Sequence, residues 1–342
     1  MTVPASGPER RLALIGLGAG EYAAIELDEH DEEQQRTLLP ASELAGWVAE
    51  VEAADTPRWI IRSAAEIYAL LLNAGVRITR SHALVLCHAI LRDTAMVNTP
   101  LPPAAGWERR EPVDTTPSLF DVLDEESGED AITAALEQYR AQRNVMAEAT
   151  DGRLTLLCAA ESAGGLIAEE MRVAGLPWDA GVHDAILTET LGARPAAGGL
   201  PRRMVERGDE VRALLDDPTL HLDSQPKLLR ALHRVGVSVE STSKWELSAH
   251  EHPVIEPLLA YKKLSRLLSA NGWTWLSEWV QDGRFRPVYI PGGVVTGRWA
   301  SAGGGALQLP RNLRPAVRAD PGWALVVADV AQLEPRMHAA MA

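Results

Sequence analysis

The amino-acid sequence predicts a multidomain protein that joins an α/β region to an all-helical region. Strand-like and helical stretches alternate over about the first 100 residues, as in an α/β layer. From about residue 156 to 282 the pattern is helical, and from 285 onward it changes to strands and glycines. A length of 342 residues with 46% hydrophobic and 23% charged residues allows two or three globular domains and excludes a wholly disordered chain.

The α/β region is predicted to begin with a β-hairpin. Arg10 and Arg11 precede an apolar run, as in a signal peptide, but the run is short and rich in glycine, and a second apolar alternation follows it. Strands are predicted over 12–16, 22–27 and 59–62, and helices over 43–53, 63–73 and 82–93. No stretch approaches the ~20 apolar residues of a membrane span, so no membrane partner is expected.

The middle of the chain is predicted to be a linker followed by helices. Residues 97–130 are rich in proline and acids, which favours a linker or solvated loop, and a long helix is predicted over about 130–149. Further helices are predicted over 161–174, 225–235 and 254–268. The tryptophans at 273, 275 and 279 are interpreted as core or interface aromatics rather than as stacking platforms for bases.

The helix predicted over 254–268 carries three basic residues, Lys262, Lys263 and Arg266, among leucines. Two interpretations stay open at this point. The helix either grips a nucleic-acid backbone or is a surface helix with solvated cations.

Charge is unevenly distributed along the chain. The formal net charge is −14, and residues 1–150 hold 12 Lys and Arg against 25 Asp and Glu, a balance of −13. Residues 283–319 hold six arginines and no acid. Such a local excess of arginine predicts a phosphate-binding face on a chain whose overall charge is negative.

The two cysteines, Cys87 and Cys158, are far apart in sequence and form no C-x-x-C pattern. The spacing indicates neither a disulfide framework nor a zinc site, and a reducing, cytoplasmic setting is expected.

The last stretch of the chain carries the strongest candidate site. Residues 323–329 form an aliphatic run that ends in Asp329, and Gln332, Glu334 and Arg336 follow. A buried strand that ends in a carboxylate is a rigid way to position a metal ligand, and the alternative is an aspartate that caps the next helix.

Glycine-rich motifs precede this stretch. Thr296-Gly297-Arg298 follows a Gly292-Gly293 turn, and a glycine-rich loop at 302–306 precedes Leu307-Gln308. The loop lacks the Gly-Lys-Ser/Thr of a P-loop, and the glycines at 16, 18 and 20 miss the dinucleotide-binding spacing.

These motifs, in this order and separation, resemble those that open the palm of the family A DNA polymerases, the class of bacterial DNA polymerase I. Two upstream segments resemble the thumb of that family: Tyr261-Lys262-Lys263 with Arg266-Leu267-x-Ser269, and Asp223-Ser224-x-x-x-Leu228-Leu229. The resemblance is good over 156–342 and faint before that. It implies a ribonuclease H-like 3′–5′ exonuclease-type domain over 1–155, a helical thumb over 156–284 and the first strands of a palm over 285–342.

The resemblance also implies the role of each residue in template-directed nucleotidyl transfer to a primer 3′-hydroxyl. Asp329 and the backbone carbonyl of Val330 would hold Mg²⁺ in a two-ion site, so that primer-template DNA and deoxynucleoside triphosphates are the expected partners of a monomer. Gln332 would contact the nucleotide or the minor groove, and Glu334 would lie where the sugar 2′ position is sensed. The expected DNA contacts are Lys262, Lys263, Arg266, Thr296, Arg298, Gln308 and Arg336.

Several positions depart from the family pattern. Val330 and Ala331 stand where the family has Tyr and Ser, and Leu309 replaces the usual Asn at a position of template contact. Only 13 residues follow Asp329, without the fingers helix or the second catalytic aspartate. We expect that the 342-residue chain alone does not extend a primer, and that a reading frame continuing past residue 342 would supply both.

The region before the thumb lacks the acids of an active exonuclease. A metal-binding Asp-x-Glu is expected on the first strand, which carries no acid, and Glu26 and Asp28 occur in the reverse order. The 82–93 helix supplies only Asp93. We therefore expect a degenerate exonuclease-like domain, with two alternatives for the whole chain: a non-catalytic DNA-binding module, or a nuclease that uses other acids.

Overall fold

The computed structural model describes residues 9–108, 128–149, 152–196, 199–302, 304–305 and 309–342. The chain divides into two compact units. The first unit comprises residues 1–175 and 286–307, and the second comprises 176–285 and 308–342. In the described part of the chain, no helix is both long and apolar enough to cross a bilayer.

The first unit is built on a mixed five-stranded sheet with the strand order β3-β2-β1-β4-β5. The strands are β1 (Arg11–Gly18), β2 (Glu21–Leu27), β3 (Glu33–Pro40), β4 (Arg58–Ile61) and β5 (Arg80–Ala83). β1, β2 and β3 pair in antiparallel fashion, whereas β4 runs parallel to β1 and β5 parallel to β4. The predicted hairpin is confirmed: β1 and β2 turn through Gly18, Ala19 and Gly20, all at positive φ.

Helices supply the crossover connections that parallel strands require. The helices of this unit are α1 (Ala41–Asp55), α2 (Ala64–Asn73), α3 (Leu84–Asp93), α4 (Gly128–Glu148) and α5 (Arg153–Ala174). The predicted helices over 43–53, 63–73 and 130–149 are confirmed within two residues at each end. The helix predicted from residue 82 begins at Leu84, because residues 80–83 form the edge strand β5.

The alternation of side chains on β1 and β4 produces two hydrophobic layers. Leu12, Leu14 and Trp59 point to the layer that α1 and α2 cover, whereas Ala13 and Ile60 point to the layer that α4 covers. A third cluster joins α3, α4 and α5 and contains both cysteines. β3 escapes sequence prediction because its residues are mostly polar and exposed, as suits a strand at the sheet edge.

Residues 286–307 add a two-stranded sheet to the first unit. β9 (Val288–Ile290) pairs antiparallel with β10 (Ala300–Ala302). The change to a strand pattern that the sequence predicts from residue 285 onward is confirmed in this stretch, and β9 packs on α5.

The second unit is helical apart from a small antiparallel sheet of the order β6-β8-β7. Its helices are α6 (Ala180–Leu191), α7 (Arg202–Leu214), α8 (Gln225–Arg234), α9 (Lys244–Leu247), α10 (Ile255–Asn271), α11 (Trp273–Trp279) and α12 (Leu333–Met341). Its short strands are β6 (Leu176–Pro177), β7 (Val280–Gln281) and β8 (Arg284–Phe285). The helices predicted over 225–235 and 254–268 correspond to α8 and α10.

An aromatic cluster forms the centre of this unit. Trp178, His183, Trp275 and Phe285 lie with ring centroids 4.9–5.6 Å apart. Trp273 is also buried, and its indole Nε1 donates to Asp184 at 2.8 Å. The assignment of Trp273 and Trp275 to the core is confirmed.

Candidate nucleic-acid-binding site

The Thr296-Gly297-Arg298 motif lies at the tip of the β9–β10 hairpin in the first unit. Gly297 takes a φ of +79°, and its N–H donates to the Val294 carbonyl at 2.9 Å, which closes the turn. Thr296 and Arg298 are both exposed at this tip. The structure therefore presents the motif to solvent on a defined turn.

The base of this hairpin fixes the turn. A Cβ on Gly293 would lie 2.5 Å from the Ala300 Cβ and 2.9 Å from the Ile290 carbonyl oxygen, so only glycine fits there. Trp299 packs on α5, where a Cβ on Gly164 would come 3.3 Å from its ring. The exposed tip is thus anchored on a rigid helix.

The three basic residues of α10 have different environments. The ammonium of Lys262 donates to the hydroxyl of Thr242 at 2.6 Å and also to the Thr242 carbonyl, and burial lowers the pKa of this lysine. Lys263 and Arg266 are exposed. Lys262 therefore tethers the loop before α9 to α10, whereas Lys263 and Arg266 face solvent.

The two thumb-like segments meet in the second unit. The hydroxyl of Tyr261 donates to the Asp223 carboxylate at 3.0 Å, and the hydroxyl of Ser265 donates to its other oxygen at 3.0 Å. Ser224 is the residue before α8, as the sequence predicts, but its side chain makes no capping bond. Asp223 instead links the start of α8 to α10.

The prediction of a buried strand over 323–329 is wrong. Residues 323–330 form no regular secondary structure and are exposed, with Val326 and Val327 each 92% exposed. A strand is stabilised by its neighbours, and within the residues that the structure describes, none pairs with this stretch.

Asp329 also does not cap the following helix. α12 begins at Leu333, and the residue before it is Gln332, with φ +55° and no side-chain capping bond. Asp329, Val330, Gln332, Glu334 and Arg336 are all exposed on this segment and the helix. The sequence left two structural roles open for Asp329, the end of a buried strand and the cap of a helix. In the structure Asp329 has neither role.

A single carboxylate is not a Mg²⁺ site by itself. Asp329 is the right kind of ligand, a hard oxygen donor. In the part of the chain that the structure describes, however, no group of three or more His, Cys, Asp or Glu side chains is arranged to hold a metal ion. The residues present would supply one ligand side chain, and a second carboxylate would have to join it.

Of the remaining predicted contacts, Gln308 and the preceding Leu307 lie outside the described residues. The arginine-rich stretch 283–319 is less basic than its composition predicts. Arg284 pairs with Asp320 at 2.6 Å, and Arg318 lies 3.4 Å from the Asp179 carboxylate. Arg311 and Arg314 are exposed on a 3₁₀ helix, Arg311–Ala316.

The acids considered for an exonuclease make structural bonds. Glu26 accepts two hydrogen bonds from Arg10, which hold the pKa of its carboxyl below the usual range. Asp28 accepts the N–H groups of His30 and Glu32 in a tight turn. Asp93 pairs with the neighbouring Arg92 at 2.7 Å. Each of these three carboxylates therefore binds a nearby arginine or backbone N–H group.

One arrangement of side chains has no recognisable pattern in the sequence. Cys87 and Cys158, set aside because they are far apart, lie side by side in the first unit with His82 and Ser162. The only local signal is the five-residue interval from His82 to Cys87, which is too common to be informative.

Comparisons with known proteins support the fold. No protein-family model matches the sequence, and no curated protein matches it. Among solved structures, the polymerase domain of Pol1 from M. smegmatis, in complex with DNA primer-template and dNTP, matches with a TM-score of 0.62 at 18% sequence identity. The match covers 93% of this chain and 56% of that chain, so this chain spans about half the length of its neighbour. The chain therefore has the fold of a DNA polymerase domain over most of its length.

Proposed function

We propose that the chain is part of a DNA-directed DNA polymerase of the family A type. The observation that carries the proposal is the likeness of 93% of the chain to the polymerase domain of Pol1. The sequence motifs support it independently, because the thumb-like and palm-like signatures follow one another in the order of that family. One fold can serve several functions, so the proposed activity depends on the roles of individual site residues.

Exposed cations on both units would bind the primer-template backbone. In the first unit, Arg298 lies at the tip of a hairpin held by Gly293 and Trp299. In the second unit, Lys263 and Arg266 are exposed on α10, and Arg336 is exposed on α12. Arginine suits phosphates and base edges because its guanidinium donates several hydrogen bonds in a fixed plane.

The segment around Asp329 would take part in nucleotide addition. Bound Mg²⁺ would supply activation of the primer 3′-hydroxyl and neutralisation of the pyrophosphate charge in such a site. Asp329 and the Val330 carbonyl would supply ligands together with a second carboxylate. Gln332 would contact the nucleotide, and Glu334 would exclude a sugar 2′-hydroxyl by bulk and by an unmet polar group.

The first unit would serve as a scaffold related to a 3′–5′ exonuclease. Its mixed sheet with helices on both faces is compatible with a ribonuclease H-like domain. The engagement of Glu26, Asp28 and Asp93 in local ion pairs and turns supports a degenerate site. The alternative, an active nuclease, predicts Mg²⁺-dependent loss of 3′ nucleotides from a 5′-labelled single strand incubated with the purified chain.

Binding of a fluorescent primer-template to the 342-residue chain tests the proposal. We expect Arg298→Ala to weaken binding roughly three- to tenfold and to lower the slope of log affinity against log salt by about 1. Arg77→Ala is the matched control, because the Arg77 side chain is 75% exposed in the same unit but outside the hairpin. Absence of duplex binding at low salt, or equal loss in both variants, would contradict the proposal.

A second experiment separates a polymerase from a DNA-binding module without catalysis, which the exposed and isolated Asp329 would also allow. In a protein in which a second carboxylate joins Asp329, and in the presence of primer-template, Asp329→Asn should weaken Mg²⁺-dependent binding of a fluorescent dNTP. The control is the same titration with Asp320→Asn, whose carboxylate pairs with Arg284. An Mg²⁺ dependence identical in the wild type and Asp329→Asn would favour the module.

A further inference from the structure

Two buried cysteines from different helices meet in the first unit. Cys87 lies on α3 and Cys158 on α5, separated by 71 residues in sequence. Both are free thiols, 0% and 1% exposed respectively, within one hydrophobic cluster. They are the only cysteines of the chain.

The sulfur of Cys87 has polar neighbours on several sides. Its Sγ lies 3.7 Å from the Cys158 carbonyl oxygen, 3.4 Å from the Ser162 hydroxyl and 3.9 Å from Nδ1 of His82. A structural cysteine ordinarily packs as a small apolar residue, so this polar setting is unusual for one.

The proton positions around His82 follow from Gln142. The amide nitrogen of Gln142 donates to the Leu84 carbonyl at 2.8 Å, so its oxygen faces Nε2 of His82 at 2.6 Å. Nε2 must therefore carry the proton in that bond. Nδ1 is left as the basic nitrogen, and it is the one that faces Cys87.

From this geometry we infer that Cys87 and Cys158 are an oxidisable pair, in which Cys87 reacts with a peroxide and Cys158 resolves the product as an intramolecular disulfide. His82 acts as the base for Cys87. The inference does not rest on the proposed function, because none of Cys87, Cys158 and His82 is among the proposed contacts to DNA, nucleotide or metal.

The acid–base properties of the cluster agree with this assignment. Hydrogen bonding with Cys158 and the nearby His82 together hold the pKa of the Cys87 thiol well below its usual range, against the opposing effect of burial. The hydrogen bond to Cys87 and burial raise the pKa of the Cys158 thiol. Cys87 is thus the nucleophile, and Cys158 is the thiol that resolves the sulfenic acid afterwards.

A cleft in the first unit reaches the Cys158 and His82 side of the pair. A cleft of ≈ 810 Å³ in the first unit is lined by His82 and Cys158, together with Tyr139, Met146 and Thr155. Cys87 itself does not line this cleft and is 0% exposed, so reaction of its sulfur with hydrogen peroxide requires a local opening of the helices that cover it.

The chemistry balances with the peroxide as the oxidant. The Cys87 thiolate attacks one oxygen, the O–O bond breaks, and the leaving hydroxide takes the proton from His82, which gives a sulfenic acid and water. The Cys158 thiol then attacks the sulfenic sulfur, the S–O bond breaks, and a second water leaves with the thiol proton. Two thiols and one peroxide become one disulfide and two waters.

Mass spectrometry of the full chain tests the inference. After brief treatment of the native protein with hydrogen peroxide, we expect a loss of about 2 Da and of both sites for alkylation under denaturing conditions, reversed by dithiothreitol. In Cys158→Ser the reaction should stop at a sulfenic acid on Cys87, which dimedone labels. In Cys87→Ser no disulfide should form, and dimedone labelling should be lost.

Two controls keep the outcome interpretable. His82→Gln should slow oxidation by ~tenfold or more in the native protein and not at all in urea, where the cluster is absent. Each variant is checked by circular dichroism, and if His82→Gln fails to fold, Gln142→Leu, which frees the His82 tautomer, replaces it. Two thiols that stay alkylatable after peroxide, or oxidation rates equal in native protein and in urea, would overturn the inference.

Discussion

The hydroxyl of Tyr261 on α10 donates a 3.0 Å hydrogen bond to the carboxylate of Asp223, 38 residues earlier in the chain. The ring of Tyr261 is buried, with 2% of the residue exposed, while Asp223 lies at the surface just before α8. This bond joins the two segments that resemble the polymerase thumb. The stability of the second unit should therefore depend on it.

Tyr261→Phe should reduce the free energy of unfolding by about 1 kcal/mol, the usual net value of one hydrogen bond, because the ring still fills its site. Urea denaturation followed by tryptophan fluorescence measures the change. Ser265→Ala removes the second, more exposed bond to Asp223 and should cost less. Equal effects of the two substitutions would contradict the importance assigned to the buried phenol.

The same bond predicts sensitivity to high pH. Burial and the Asp223 carboxylate raise the pKa of Tyr261 to about 12, above the ordinary value of 10.0. A raised pKa in the folded state means that this contribution to stability is present below pH 10 and is lost as the pH rises toward 12. Absorbance of tyrosinate near 295 nm should show one late-titrating tyrosine fewer in Tyr261→Phe.

Substitution of the two adjacent lysines on α10 should affect different properties, DNA affinity for Lys263 and stability for Lys262. Lys263→Ala should weaken primer-template binding and lower its salt slope by about 1, because Lys263 is exposed, with little effect on stability. Lys262→Ala should lower the unfolding free energy, because it breaks the tether to Thr242. Anisotropy titrations and urea denaturation of both variants check this pair. A larger loss of DNA affinity in Lys262→Ala would reverse the assignment.

A buried carboxylate fixes the packing of α1 on the sheet. Glu52 accepts the indole N–H of Trp59 at 2.7 Å and the backbone N–H of Thr79 at 2.6 Å. Glu52→Ala leaves both donors without this acceptor and should cost about 2–4 kcal/mol. Glu50→Ala, on the exposed side of the same helix, is the control and should stay within about 0.5 kcal/mol of the wild type in calorimetry.

The aromatic cluster predicts a loss of stability in acid. His183 is fully buried, accepts the Trp178 indole N–H at Nδ1, and its Nε2 donates to the Asn271 carbonyl. Burial lowers the pKa of His183 from 6.5, so its contribution to stability is present above about pH 6.5 and is lost as the pH falls below that value.

The measurement is the unfolding free energy at several pH values between 7 and 5. His183→Gln should reduce the dependence of the unfolding free energy on pH relative to the wild type, and His30→Gln, at a side chain 77% exposed, is the matched control. His88 is also buried with a lowered pKa, so the wild-type curve contains both contributions and only the difference reports on His183. Parallel curves for wild type and His183→Gln would refute the assignment.

Local periodicity in the sequence determined most helices and the hairpin strands. The apolar run of β1, the alternation along β2 and the 3.6-residue pattern of α1, α2 and α10 involve residues close in sequence, so they can be recognised without knowledge of the fold. The order of the polymerase-like motifs is likewise a property of the sequence alone. β3 was missed because an edge strand need not be apolar.

The tertiary structure alone decided which distant side chains meet. Tyr261 and Asp223, or Cys87 and Cys158, come together because helix packing and strand order bring them into contact, and no local pattern encodes that distance. The apolar run before Asp329 shows the reverse case. Its residues have the propensity of a buried strand, but a strand is stabilised by pairing and cover, and the described chain supplies neither there.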